Sequence, residues 1–91
     1  DSDKPVLVDF FATWCGPCQA VKPILQDVKS KLGDKVTIYK IDIDKNPSLA
    51  NQYGIQSVPT LMIFKKSDMV WRTSGVVPTS KLVPIIEGGM N

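Results

Sequence analysis

Residues 5–33 read PVLVDFFATWCGPCQAVKPILQDVKSKLG, and their pattern decides the fold of this 91-residue chain. Residues 5–12 (PVLVDFFA) are apolar and β-rich, interrupted only by Asp9. Such a run suits a strand covered on both faces, as in sheets flanked by helices. From Cys15 onward the spacing changes. Cys18, Val21, Ile24, Leu25, Val28 and Leu32 recur at helical intervals and form one buried stripe, with Lys22, Gln26, Lys29 and Ser30 largely outside it. Gly33 supplies the stop. Pro23 falls inside the pattern, where its ring removes one hydrogen bond. A kink is expected there rather than an end, because the stripe continues beyond it.

Downstream, residues 36–43 (VTIYKIDI) alternate and are β-branched, which predicts a second strand. Asn46-Pro47-Ser48, then LANQY and Gly54, predict a short helix stopped by glycine. Residues 60–64 (TLMIF) and 69–73 (MVWRT) predict a hairpin across the polar turn Lys65-Lys66-Ser67-Asp68. Thr79 or Ser80 is expected to cap a last helix ending at Gly88-Gly89. Pro84 either bends that helix or begins it. The order β-α-β-α-β-β-α implies a layered α/β domain whose mixed sheet is parallel through the crossovers and antiparallel in the hairpin. No linker or repeat interrupts residues 1–91, so a single domain is expected.

Composition narrows the function. Apolar residues at 43% and charged residues at 22% are ordinary for a soluble globular chain. Eleven Lys/Arg against nine Asp/Glu leave +2, too near balance for a nucleic-acid footprint. No run of about 18 apolar residues predicts a membrane span. Histidine is absent, which removes the commonest general base and metal ligand, and with them Ser–His–Asp and Cys–His catalysis.

The two cysteines, Cys15 and Cys18, stand where the first strand gives way to the helix. A thiolate, not a thiol, attacks a disulfide. A helix N-terminus offers unpaired N–H groups and about half a positive charge, stabilising an anion by up to ~2 kcal/mol. That is enough to bring a nearby thiol's pKa down by roughly one to one and a half. The second cysteine, one turn on, is close enough to attack a mixed disulfide formed by the first. An inert bridge is the plainer reading, yet closing so short a loop stabilises by only ~2 kcal/mol. Zinc wants four ligands, and two cysteines with no histidine supply too few, so no metal site and no cofactor are expected. Redox cycling of the pair explains the motif best.

The unit WCGPC between strand and helix resembles the thioredoxin family. KPIL, KIDIDKNP, YGIQSVPTLMIFK and a glycine at Gly75 extend the likeness over nearly the whole chain. The pairing of WCGPC with VPT some forty residues later is specific, where a lone C-x-x-C is weak. The resemblance implies a three-layer thioredoxin-like fold and reduction of target-protein disulfides by dithiol exchange. It makes Cys15 the exposed attacking thiolate and Cys18 the more buried resolving thiol. Asp9 becomes a buried carboxyl that exchanges protons with Cys18, and Lys40 its charge partner. Pro59 follows a cis peptide bond from Val58. Trp14, Gly16, Pro17, Ile43, Val58, Pro59, Gly75 and Val76 form the shallow apolar surface that receives substrate. Taken alone, the residues also allow a solvent-facing Asp9, a surface Lys40, a trans Pro59 and a core Trp14. Trp71 and Tyr53 read as packing residues.

Burying a carboxylate raises its pKa, which suits Asp9 to general-base work in a site without histidine. Gly16-Pro17 places no charge between the cysteines, so the thiolate is less stabilised than in oxidases with histidine there, and the protein is the better electron donor. The implied partners are disulfide-containing targets and a donor of the thioredoxin-reductase type, a flavoenzyme or ferredoxin-linked. The competing reading is a redox-silent binding module or assembly subunit using the same surface. An oxidase or isomerase is disfavoured by Gly16-Pro17.

The family usually carries a further strand and helix ahead of the segment that starts here. Their absence is expected to leave the strand at residues 36–43 as an open edge, favouring self-association or membership of a longer protein. Nothing resembles a signal peptide. A cytoplasmic location is therefore expected, or an organelle stroma or matrix after removal of a targeting segment.

Overall fold

The computed structural model describes residues 4–88. Strand β1 (Val6–Phe11) leads into helix α1 (Gly16–Leu32), and a 3-10 turn at Gly33–Lys35 precedes strand β2 (Thr37–Asp42). Helix α2 (Pro47–Gln52), strands β3 (Thr60–Lys65) and β4 (Asp68–Ser74), and helix α3 (Thr79–Ile86) follow. The four strands form one mixed sheet in the order β2-β1-β3-β4. β1 pairs with β2 in parallel and with β3 antiparallel, and β3 with β4 antiparallel. The expected architecture is thus realised, with β2 at one edge.

Alternation along β1 sends Leu7 and Asp9 to one face of the sheet and Val8 and Phe10 to the other. On the first face Leu7, Leu61 and Ile63 pack beneath Val21, Leu25 and Val28 of α1 and Leu82, Ile85 and Ile86 of α3. Trp71 packs against this layer, as a packing residue should. The second face is covered more thinly. Val8, Phe10 and Met62 are buried there, with Leu49, Tyr53 and Ile55 packed over them. Tyr53 sets its ring against Phe10 (centroids 5.9 Å apart) and Phe64 (6.0 Å). Tyr39, on the same face, is 57% exposed.

Helix α1 runs 17 residues without interruption through Pro23, and its buried residues are Cys18, Val21, Leu25, Val28 and Leu32. Ile24, predicted for that stripe, is only partly buried. At its end Gly33 takes φ +54° and gives its N–H to the Lys29 carbonyl, a conformation that favours glycine. The last helix corrects one expectation and decides between two readings of another. It starts at Thr79, so Pro84 lies inside it rather than beginning it, and its N-cap is Pro78, with no side-chain capping bond from Thr79 or Ser80. Pro78 is already extended (φ −70°, ψ 156°), so the ring itself fixes the entry angle. The helix ends at Ile86; Gly88 follows with φ +89°, and Gly89 lies outside the described residues.

Candidate active site

The site forms where β1 ends. Ala12 turns the chain, its carbonyl accepting the Cys15 N–H at 3.2 Å. Cys15 then becomes the N-cap of α1 in extended conformation (φ −87°, ψ 116°). Its Sγ accepts the backbone N–H of Cys18 at 3.1 Å, the place an oxygen of serine or aspartate occupies in an ordinary cap. The sulfur therefore sits on one of the unpaired donors at the positive end of a helix. Pro17 in the first turn lacks an N–H, so no donor is wasted there.

Cys15 and Cys18 are joined as a disulfide, their Cα atoms 5.3 Å apart. The expectation of an exposed Cys15 beside a more buried Cys18 requires correction, since the two are 4% and 3% exposed. In the oxidised pair each sulfur shields the other, and the Cys15 Sγ also lies 3.6 Å from the Val58 carbonyl oxygen. Ala12 and both cysteines make a small buried cluster against which Phe11, Ile43 and Val58 pack. What separates the two cysteines is their surroundings.

On the Cys15 side the surroundings are apolar. The Val58–Pro59 peptide is cis, as expected, and Pro59 is buried. Its carbonyl accepts the Gly75 N–H at 2.8 Å. Gly75 adopts φ +99°, a conformation that side-chain-bearing residues rarely take. Trp14 is 69% exposed, which removes the core reading. Its indole N–H donates to Asp44 Oδ2 at 2.9 Å, and Asp44 is fixed in turn by its own N–H to Asp42 Oδ1. Gly16, Pro17 and Val76 are exposed, and Ile43, Val58 and Gly75 half-buried.

On the Cys18 side the surroundings are charged. Asp9 is 3% exposed in the central part of the sheet, which removes the solvent-facing reading. Its Oδ1 has no hydrogen-bond partner. A cavity of about 220 Å³ adjoins it, lined by Asp9, Phe11, Cys18, Gln19, Lys22 and Lys40 among others. Burial pushes the Asp9 carboxyl up to about 6, against a smaller downward pull from the Lys40 charge. Lys40 stands directly across from Asp9 in the β1–β2 register.

Of the residues predicted from sequence, Ile43 and Val58 pack against the cysteine pair, Asp9 and Lys40 share a cavity with Cys18, and Gly75 is tied to Pro59. Asp44 and Lys22 were not predicted. Asp44 is one of two aspartates in IDID, and only the structure shows it meeting the Trp14 indole. Lys22 is four residues beyond Cys18, one helical turn, and that spacing was available as a signal.

Comparison with known proteins agrees with this geometry. A thioredoxin family model matches residues 1–88. The chain is 52% identical over 89 residues to a chloroplastic thioredoxin Y of Oryza sativa subsp. japonica, covering 98% of this chain and 53% of that protein. It is 47% identical over 87 residues to thioredoxin 1 of Nostoc sp. (strain PCC 7120 / SAG 25.82 / UTEX 2576), covering 96% of this chain and 81% of that one. The structure superposes on that of chloroplastic thioredoxin z with a TM-score of 0.87 at 38% identity, over 96% of this chain and 79% of the other. The chain therefore spans about half the length of the rice relative and about four fifths of the other two.

Proposed function

This chain belongs to the thioredoxin family, and from that premise we propose that it reduces disulfides in target proteins by dithiol exchange through Cys15 and Cys18. The observation that carries the reading is the Cys15 sulfur placed as the cap of α1, on the Cys18 N–H, with Cys18 already within bonding reach.

In the reduced protein the Cys15 thiolate attacks one sulfur of a target disulfide. A Cys15–target bond forms, the target S–S bond breaks, and the released target sulfur takes a proton. Cys18 then loses its proton and attacks the Cys15 Sγ. The Cys15–Cys18 bond forms, the second target sulfur leaves as a thiol, and two electrons have passed from protein to target. An external donor of the thioredoxin-reductase type returns them. Sulfur carries the electrons throughout, so the exchange calls for no bound cofactor.

Asp9 is the proton acceptor for Cys18 in this scheme. Its raised pKa, its unpartnered oxygen and the shared cavity support that role. Lys40 keeps enough of the carboxyl ionised near neutrality to accept a proton. Trp14, Gly16, Pro17, Ile43, Val58, Pro59, Gly75 and Val76 receive the target, with Trp14 and Val76 the large exposed apolar side chains among them. Residues 1–91 act as one domain, a reading supported by the single sheet that joins all four strands. Among the described residues no helix is long and apolar enough to cross a membrane. The name of the rice relative, a chloroplastic thioredoxin Y, favours a plastid stroma over the cytoplasm.

The test is the turbidity that develops as dithiothreitol reduces insulin. Wild-type protein accelerates it, and Cys15→Ser protein does not. Failure of the wild type to accelerate it, or full activity in Cys15→Ser, overturns the reading.

A further inference from the structure

The loop from α2 to β3 carries the cis Val58–Pro59 peptide, yet its backbone is tied within itself only at the start, where Gly54 and Ile55 donate to the Asn51 and Ala50 carbonyls. Nearer the proline, Thr60 Oγ1 donates to the Ser57 carbonyl at 2.7 Å and the Gly75 N–H to the Pro59 carbonyl at 2.8 Å, and β4 adds further side-chain ties. Arg72 Nη1 donates to the Tyr53 carbonyl at 2.6 Å and Nη2 to the Gly54 carbonyl at 3.1 Å. Two residues along the same strand, Ser74 Oγ meets the Ser57 hydroxyl at 3.3 Å. Arg72 and Ser74 share a strand face because they are two apart, and they hold the beginning and the end of the loop respectively. The two carbonyls held by Arg72 lie just past the C-terminus of α2, where a fixed cation is favoured by the helix dipole. The planar guanidinium offers a separate nitrogen to each carbonyl in a fixed fork, where an ammonium is a single point of contact on a flexible stem.

We propose that Arg72 is a positioning residue for target binding: its fork on the Tyr53 and Gly54 carbonyls sets the loop that presents Val58 and Pro59 beside Cys15. The inference rests on the disulfide-reductase reading above and goes beyond it by naming what fixes the receiving surface. Arg72 touches neither sulfur, so it acts on how well a protein target seats, and small disulfides that bypass the loop are indifferent to it.

Initial rates of insulin reduction at varied insulin, with dithiothreitol as donor, separate KM from kcat. In Arg72→Met, KM rises about three- to tenfold, the effect of loosening one or two hydrogen bonds, while kcat stays within about twofold. Arg72→Lys, able to reach one carbonyl, falls between Arg72→Met and wild type. The rate with 5,5′-dithiobis(2-nitrobenzoate) is unchanged in both. Lys29→Met is the structural control, since it removes a single side-chain bond to the Val36 carbonyl (2.9 Å) at the far end of α1; it lowers Tm without moving KM. An unchanged KM in Arg72→Met overturns the proposal. So does a fall in the small-disulfide rate parallel to the insulin rate, or a KM rise of the same size in Lys29→Met. An inactive wild type refutes the reductase reading instead, and the two failures are distinct.

Discussion

Around Cys15 the neighbours are backbone dipoles and apolar side chains: the Cys18 N–H, the Val58 carbonyl, Ala12 and Ile43. Around Cys18 they include a carboxyl and two lysines that share a cavity. In the disulfide state the two residues are almost equally buried, so burial does not distinguish them. The local electrostatics does. In the mechanism proposed above, the positive end of α1 favours the anion at Cys15 before any target arrives, and Asp9, which shares a cavity with Cys18, takes the Cys18 proton once the mixed disulfide has formed. One helix turn thus separates a sulfur prepared to attack from a sulfur prepared to be deprotonated.

Removing either sulfur breaks this division most severely. Cys15→Ser loses insulin reduction by about 10³-fold or more, because no nucleophile remains. Cys18→Ser also fails to turn over, but it still performs the first attack and accumulates a mixed disulfide with the target. Mass spectrometry reads that adduct, and finding it in Cys15→Ser instead would reverse the assignment.

Asp9→Asn comes next. The folded-state pKa of about 6 lies above the ordinary 3.8, so the folded protein holds this proton more tightly than the unfolded chain. Stability contributed by the group is present below pH 4 and is lost as pH rises through 6, by up to about 3 kcal/mol. Asparagine carries no such loss. Urea denaturation should therefore find Asp9→Asn the more stable protein at pH 8, with the advantage gone at pH 4, while its turnover is slower. Equal stability of the two proteins at pH 8 would mean that Asp9 is not held above its ordinary range.

Trp14→Ala probes the Cys15 side alone. The ring is mostly exposed, so unfolding free energy should change by no more than about 0.5 kcal/mol, while insulin reduction slows several-fold. The smallest effect is expected from Lys40→Met. Loss of the opposing charge lets the Asp9 midpoint climb above about 6, and only modestly because an exposed lysine is well screened. The pH window over which stability falls should move upward accordingly.

Much of this was legible beforehand. Apolar spacing marks the four strands and α1, because each must bury a face and the sequence has to record which, while Pro, Ser, Thr and Gly signals bracket α2 and α3. WCGPC and VPT mark the sulfurs and the proline beside them, since few residue types do that chemistry. Asp44 on the Trp14 indole and Arg72 on the Tyr53 and Gly54 carbonyls were not legible. Both are contacts between polar side chains and segments 18 to 30 positions away, which no local periodicity encodes. Equal burial of the cysteines was missed for another reason: it belongs to the bonded pair and to the Val58 carbonyl above it, not to either residue alone. The α3 start was misjudged because Pro78 fixes the helix entry through its ring, leaving Thr79 inside the helix rather than at the cap.

Iodoacetamide alkylation of the reduced protein, followed as rate against pH with each cysteine identified by mass, tests the division between the sulfurs most directly. Cys15 is predicted to react first, with a midpoint below the free-cysteine value of about 8.5, and Cys18 to lag far behind it. Equal rates at both positions, each rising only near pH 8.5, would contradict it.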